Sequence, residues 1–198
     1  MLVLQASDMH AWDRTAFLWL NLDAHSPDLL VTLAVLASRW LPGVALAGLM
    51  AALLAGPARW RRQLLTTAAA MALAWLGASL IKQGVTAPRP FMLGLGTDWL
   101  GHAGGNGFPS SHASVASALG VSALLSSWPR AMRWALTFLA AVVCWSRIAV
   151  GVHFPSDVAA ATLLGVLCAL LLQGTTGWWL LRRARLRERW PTESGQAS

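Results

Sequence analysis

Positions 64–81 read "LLTTAAAMALAWLGASLI", eighteen residues without a charge. A helix crossing the hydrocarbon layer of a bilayer needs roughly 20 apolar residues, within a range of about 17–25. Extended to 64–84, this segment meets that requirement. The stretches 41–57, 110–128 and 134–150 meet or approach it, and 156–181 is long enough to span with tilt. Residues 27–38 are too short to cross alone, and the sequence predicts a partly inserted helix there that turns at "RWLPG" into the next span. With 56% apolar and only 12% charged residues, the surface of a water-soluble bundle rich in alanine and leucine could not be covered. The expected architecture is an all-α, polytopic transmembrane helix bundle of five or six membrane helices. It forms a single domain over residues 1–198, without internal repeats.

The formal charge of +7 raises the question of nucleic acid. The arginines argue against that partner, because they fall in short clusters beside the apolar spans: Arg59, Arg61 and Arg62; Arg130 and Arg133; then Arg182, Arg183, Arg185, Arg187 and Arg189. That distribution follows the positive-inside rule. With all three clusters on the cytoplasmic side, including a basic tail at 182–198, residues 85–109 and 147–155 share the opposite face. The N-terminal stretch lacks a basic n-region and is interrupted by acids, so it makes a poor signal peptide. Residues 10–23 are expected to form an amphipathic interfacial helix anchored by Trp12, Phe17 and Trp19. Cys144 and Cys168 lie inside apolar runs and imply buried packing residues, with no disulfide framework.

The outer face gathers an unusual set of polar residues. Lys82, the only lysine of the chain, ends the 64–84 span in "KQGVTAPRP", seven residues before Arg89. "FPSSHA" brings Ser110, Ser111 and His112, and "SRIAVGVHFPSD" brings Ser146, Arg147, His153 and Asp157. Ionisable groups in or beside a membrane are costly, and a whole set of them points to function. Three cations against one carboxylate favour an anion, and guanidinium forks suit phosphate oxygens. Pro109 and Pro155 are good first-turn residues. Each is expected to start a helix whose free N–H groups face the same anion. Asp157, one turn beyond His153, can hold one ring nitrogen and leave the other aimed at a reacting phosphorus. His112 can protonate the leaving oxygen. Metal ligation by the two histidines and the acid ranks below this reading, since three cations would repel a divalent ion. Neither a metal nor a cofactor is expected.

Other residues invite plainer readings. "GHAGGNG" (101–107) lacks the lysine and hydroxyl of a phosphate-binding loop, so a flexible connection is expected, with His102 a solvated histidine. Asp98 reads as an exposed loop acid, Arg39 as a surface or interfacial cation, and Ser146 as a local hydrogen-bonding residue. His10 and His25 carry no signal.

Together, "KQGVTAPRP", "PSSH" and "SRIAVGVHFPSD" resemble the three signature motifs of the type 2 phosphatidic acid phosphatase (PAP2) superfamily: K-x6-RP, PSGH and SR-x5-H-x3-D. The resemblance implies His153 as nucleophile, Asp157 as its orienter and His112 as acid for the leaving group. Lys82, Arg89, Ser110 and Arg147 become phosphate ligands, with Ser111 standing where the family has glycine, and no metal takes part. Within the superfamily, "RPF" and the approach to "FPSSHA" look like bacterial undecaprenyl-diphosphatases. That resemblance implies hydrolysis of a lipid-carrier diphosphate at the outer side of a bacterial inner membrane, through a phosphohistidine. Phosphatidylglycerophosphate or phosphatidate phosphatase and lipid phosphotransferase are the alternatives within the family. A lipid-phosphate transporter is the alternative outside it.

Overall fold

The computed structural model describes residues 2–3 and 11–189, with side chains placed for residues 11–174. Six α-helices account for nearly all of it: α1 (Ala11–Leu20), α2 (Asp28–Ala55), α3 (Arg61–Gly84), α4 (Ser111–Leu124), α5 (Arg130–Ala149) and α6 (Pro155–Arg189). A two-residue parallel pairing of Leu2–Val3 (β1) with Val85–Thr86 (β2) is the extended structure seen among the described residues. The helices α2, α3, α5 and α6 are long and apolar enough to cross a membrane. Leu29, Leu54 and Phe138 stand more than 70% exposed on their outer faces, as lipid-facing residues do.

Two boundaries differ from expectation. Residues 27–38 and 41–57 are one helix: α2 runs without interruption through Pro42. Pro42 has no N–H to give the Ser38 carbonyl, a loss that long transmembrane helices tolerate when neighbouring groups compensate. The stretch 110–128 forms only the fourteen residues of α4, about 21 Å of helix, which falls short of a full crossing. α4 is instead the central post, packed against α3, α5 and α6.

Small residues make that post possible. Ala113, Ser114, Ala116, Ser117, Ala118 and Ala123 of α4 are all buried, as are Ala70, Ala74 and Ala78 of α3. Gly165 of α6 lies so near α4 that a Cβ there would come within 2.3 Å of the Ser114 carbonyl oxygen. Helices in membranes gain little from hydrophobic transfer against one another, so close backbone approach through small residues is what packs them. Larger side chains, Leu49, Leu64, Met71, Leu119 and Trp128, fill the half of the core nearer the arginine-bearing end. There Arg133 donates from Nη2 to the Leu124 carbonyl at 2.7 Å and closes the end of α4 against the first turn of α5.

The antiparallel order sets Arg59, between α2 and α3, and Arg61 and Arg62, which open α3, at the same end of the bundle as Arg130 and Arg133. The side chains of the tail cluster, 182–189, and residues 190–198 lie outside the described set. The opposite end carries the C-terminus of α3, the N-termini of α4 and α6, and the C-terminus of α5. α1 packs beneath that end, and its Phe17 is fully buried against Phe154, edge to face at 5.3 Å, rather than anchoring an interface. Trp12 and Trp19 of the same helix are exposed.

Candidate active site

Four helix ends and one loop converge here. α5 ends at Ala149, and the turn 150–154 leads directly into α6 at Pro155. Gly151 makes that turn possible with φ +83, in a place so tight that a Cβ would lie 2.0 Å from the Thr97 carbonyl. His153 stands at the end of the turn, 2% exposed, and Asp157 in the first turn of α6, 4% exposed. His153 Nδ1 is 3.5 Å from Asp157 Oδ2. The same Oδ2 accepts the Phe154 N–H at 2.9 Å, which fixes the carboxylate relative to the turn. With Nδ1 turned to the acid, Nε2 is the nitrogen left for chemistry.

α4 enters the site one residue later than expected. Pro109 lies before the helix and follows a cis peptide bond, while Ser110 is the N-cap and Ser111 the first helical residue. Ser110 N–H donates to the Asp157 carbonyl at 3.3 Å and so ties the start of α4 to the start of α6. Its hydroxyl is fully buried without a hydrogen-bond partner among the described residues. His112 is exposed and lies within electrostatic reach of Arg147 and His153.

The cations complete the arrangement. Arg147, in the last turn of α5 and 3% exposed, donates from Nη1 to the Ser38 hydroxyl of α2, while its Nε has no partner. Arg89 is half-buried, with Nε and Nη1 both unpartnered. Buried donors are almost always satisfied in native structures. Unpaired donors on two arginines and a serine, gathered about a His–Asp pair, therefore describe a cradle shaped for an acceptor-rich anion. Burial, followed by the charges of Arg147, Arg89 and Lys82, holds the His153 pKa well below 6.5, so its imidazole is neutral. Burial also draws the Arg89 pKa down, against the opposing pull of Asp157 and Asp98. Lys82, Arg89, Ser110, Ser111, His112, Arg147, His153 and Asp157 lie at this end of the bundle. Ser111 and His112 also line the mouth of an apolar groove of about 290 Å³ that descends between α2, α3, α4 and α5 past Leu41, Leu46, Met71 and Trp75.

Several contributors carried no signal in the sequence. Asn106, inside the glycine-rich loop, accepts the N–H groups of Ala87 and Phe108 and donates to the carbonyls of Lys82 and Val85. The loop is thus laced to the end of α3 instead of hanging as a free connection. The next residue, Gly107, is buried so closely that a Cβ would sit 3.3 Å from Asp157 Oδ2 and 3.4 Å from Arg89 Cγ. Asp98 is half-buried and accepts the N–H groups of Leu100 and His102. His102 is likewise half-buried, and burial, then Arg89 and Arg147, lower its pKa. Single amides and glycines in a polar loop are common everywhere, and only their long-range partners distinguish these.

The chain is similar to known proteins. Over 84 residues the chain is 31% identical to the undecaprenyl-diphosphatase BcrC of Bacillus subtilis (strain 168), covering 42% of each chain. The matched segments span at most 42% of the curated relatives' lengths. The fold is shared with the crystal structure of Aquifex aeolicus LpxE, at a TM-score of 0.69 and 22% identity over 86% of this chain and 98% of that one. It is shared also with a transmembrane PAP2-type phosphatidylglycerolphosphate phosphatase from Bacillus subtilis, at a TM-score of 0.64 and 20% identity over 84% and 83%. The model of the PAP2 superfamily matches residues 63–180, a stretch that begins in α3, contains every element of the cradle except Ser38, and makes this chain a member of that superfamily.

Proposed function

We propose that the protein is a membrane lipid phosphatase that hydrolyses undecaprenyl diphosphate to undecaprenyl phosphate by double displacement at His153. Lys82, Arg89, Ser110 and Arg147 hold the terminal phosphate, and the Ser111 N–H adds the charge of the α4 N-terminus. His153 Nε2 attacks phosphorus, a P–N bond forms, and the P–O bond to the lipid phosphate breaks as His112 gives its proton to the departing oxygen. Asp157 stabilises the charge that appears on the imidazole. A water molecule then attacks the phosphohistidine, passes its proton to His112 and releases inorganic phosphate, restoring both histidines.

The observation that carries this reading is the set of unpartnered donors on Arg89, Arg147 and Ser110 around a neutral histidine whose Nδ1 lies 3.5 Å from the Asp157 carboxylate. A transporter would want the cations but has no use for that pair. The apolar groove opening beside His112 offers a path for a lipid tail. The choice of a diphosphate lipid rests on the relatives' names and on the motif surroundings. With the arginine clusters cytoplasmic, the site faces the extracytoplasmic side of the inner membrane.

The experiment is phosphate release by purified protein in detergent from undecaprenyl diphosphate, phosphatidate and phosphatidylglycerophosphate, with and without a chelator. Fastest turnover of the diphosphate, unchanged by chelator, is expected. Preference for either glycerolipid would reassign the substrate, and loss of activity on chelation would sink the metal-free mechanism.

A further inference from the structure

The first turn of α6 carries Asp157 and directly follows His153, yet its own sequence caps it only halfway. Phe154 occupies the N-cap position before Pro155. In a complete capping box the N-cap side chain accepts a free N–H of the first turn, while the side chain three residues on accepts the N-cap N–H. Asp157 performs the second part by accepting the Phe154 N–H. A phenylalanine cannot perform the first.

The missing acceptor comes from α1. Asp13, only 4% exposed, accepts the Ser156 N–H through Oδ1 at 3.0 Å and the Ser156 hydroxyl through Oδ2. No cation lies within ion-pairing distance of it among the described residues. A buried carboxylate without a counter-charge is costly unless its hydrogen bonds compensate, and here both bonds go to the N-terminus of α6, where the helix dipole also favours a negative charge. The ring at the N-cap meanwhile grips α1: Phe154 packs on Phe17, one turn along from Asp13. At the far end of α1, Asn21 accepts the Thr97 N–H at 2.8 Å and donates to the carbonyls of Thr97 and Ala149. Leu22 N–H adds a bond to the Ala149 carbonyl. α1 is thereby fastened at both ends to the turn that carries His153.

We propose that Asp13 is a positioning residue for the reaction: it completes the cap of α6 from a separate helix and so holds Asp157 and His153 in the geometry for attack. The proposal rests on the phosphatase reading above. Asp13 lies outside the segment matched by the family model. Without Asp13 the Ser156 N–H loses its partner, the first turn of α6 frays, and the Asp157 carboxylate loses its fixed bearing on Nδ1. The cationic phosphate ligands Lys82, Arg89 and Arg147, borne by α3, the 85–89 segment and α5, keep their places.

The test uses the full-length protein in detergent, with Asp13→Ala, Asp13→Asn, Ser156→Ala and the double variant Asp13→Ala/Ser156→Ala. Rates are measured on whichever lipid phosphate the wild type turns over fastest, and hydrogen exchange is followed over residues 153–158. A misplaced catalytic group costs on the order of 10–100-fold in rate. Asp13→Ala is therefore expected to lower kcat by that range with KM within about twofold, and Asp13→Asn, which can still accept the Ser156 N–H, to recover most of it. The double variant should be no slower than Asp13→Ala, and exchange at 153–158 should quicken while α3 is unchanged. A kcat for Asp13→Ala equal to that of the wild type would overturn the proposal. So would a loss confined to KM, or a loss that follows only the amount of folded protein and is not recovered by Asn. If the wild type hydrolyses none of the three lipids, the phosphatase reading fails instead, and the exchange comparison still decides whether Asp13 caps α6.

Discussion

Asp157 Oδ2 lies 3.5 Å from His153 Nδ1 and accepts the Phe154 N–H at 2.9 Å, so one carboxylate oxygen serves both the imidazole and the helix cap. Orientation of the His153 imidazole and initiation of α6 rest on the same carboxylate. Replacing His153 by alanine is expected to reduce phosphate release by roughly four orders of magnitude, and Asp157→Asn by about 10²–10⁴-fold. The intermediate provides the sharper check. Brief reaction with lipid labelled in its terminal phosphate should leave an acid-labile, alkali-stable label on the wild type and none on His153→Ala. Label on the alanine variant would mean that another residue is the nucleophile.

The pH dependence has a definite sign. Burial, Arg147, Arg89 and Lys82 keep the folded pKa of His153 well below 6.5, so the neutral imidazole persists under mildly acid conditions. The acid limb of kcat/KM, which reports the free enzyme, should therefore fall below pH 6.5. The same depression means that the unfolded chain takes up a proton near pH 6.5 that the folded chain refuses. Its contribution to stability is complete above that pH and declines as the pH falls below it. An acid limb centred at 6.5 or higher would show that His153 is not the group being titrated.

Gly107 sits between Asp157 and Arg89. An added methyl would meet Asp157 Oδ2 at 3.3 Å and Arg89 Cγ and the Ala87 carbonyl at 3.4 Å. Gly107→Ala is expected to cost about tenfold in kcat/KM, and Gly107→Val considerably more, through displacement of groups that must stay aligned. Unaltered kinetics in the valine variant would contradict this packing.

Stability should respond to glycines according to what faces them. At Gly165 a Cβ would come within 2.3 Å of the Ser114 carbonyl and 2.8 Å of the Ala118 nitrogen, both backbone atoms that cannot step aside. Gly165→Ala is expected to destabilise the bundle by about 1–3 kcal/mol. Gly48, in the middle of α2, has nothing within 4 Å. Gly48→Ala should be neutral or stabilising by up to about 1 kcal/mol, from helix propensity alone. Unfolding in detergent by heat or denaturant measures both, and equal effects would refute the close contact of α4 and α6.

Apolar length and clustered arginine made the membrane class and most helices readable. The 64–84 and 156–181 stretches appear as α3 and α6 within a few residues at their starts. The short spacing from Arg147 through His153 to Asp157 was readable for a related reason, since one turn and one helical turn link these residues locally. Pro42 was misleading. Local propensity predicts a break there, but a long apolar helix in a bundle keeps its remaining hydrogen bonds where no water competes for them.

What the chain alone determined, then, is what nearest neighbours and solvent preference can encode: which stretches enter the lipid, which end of each bears arginine, and which side chains sit at the opposite ends. The tertiary structure decided how those ends meet. Asp13 and Ser156, separated by 143 positions, and Arg147 and Ser38, separated by 109, find each other only after the helices pack. No local pattern announces such pairs, because a hydrogen bond between distant residues leaves no periodicity in the sequence, only a buried polar group that must find its partner.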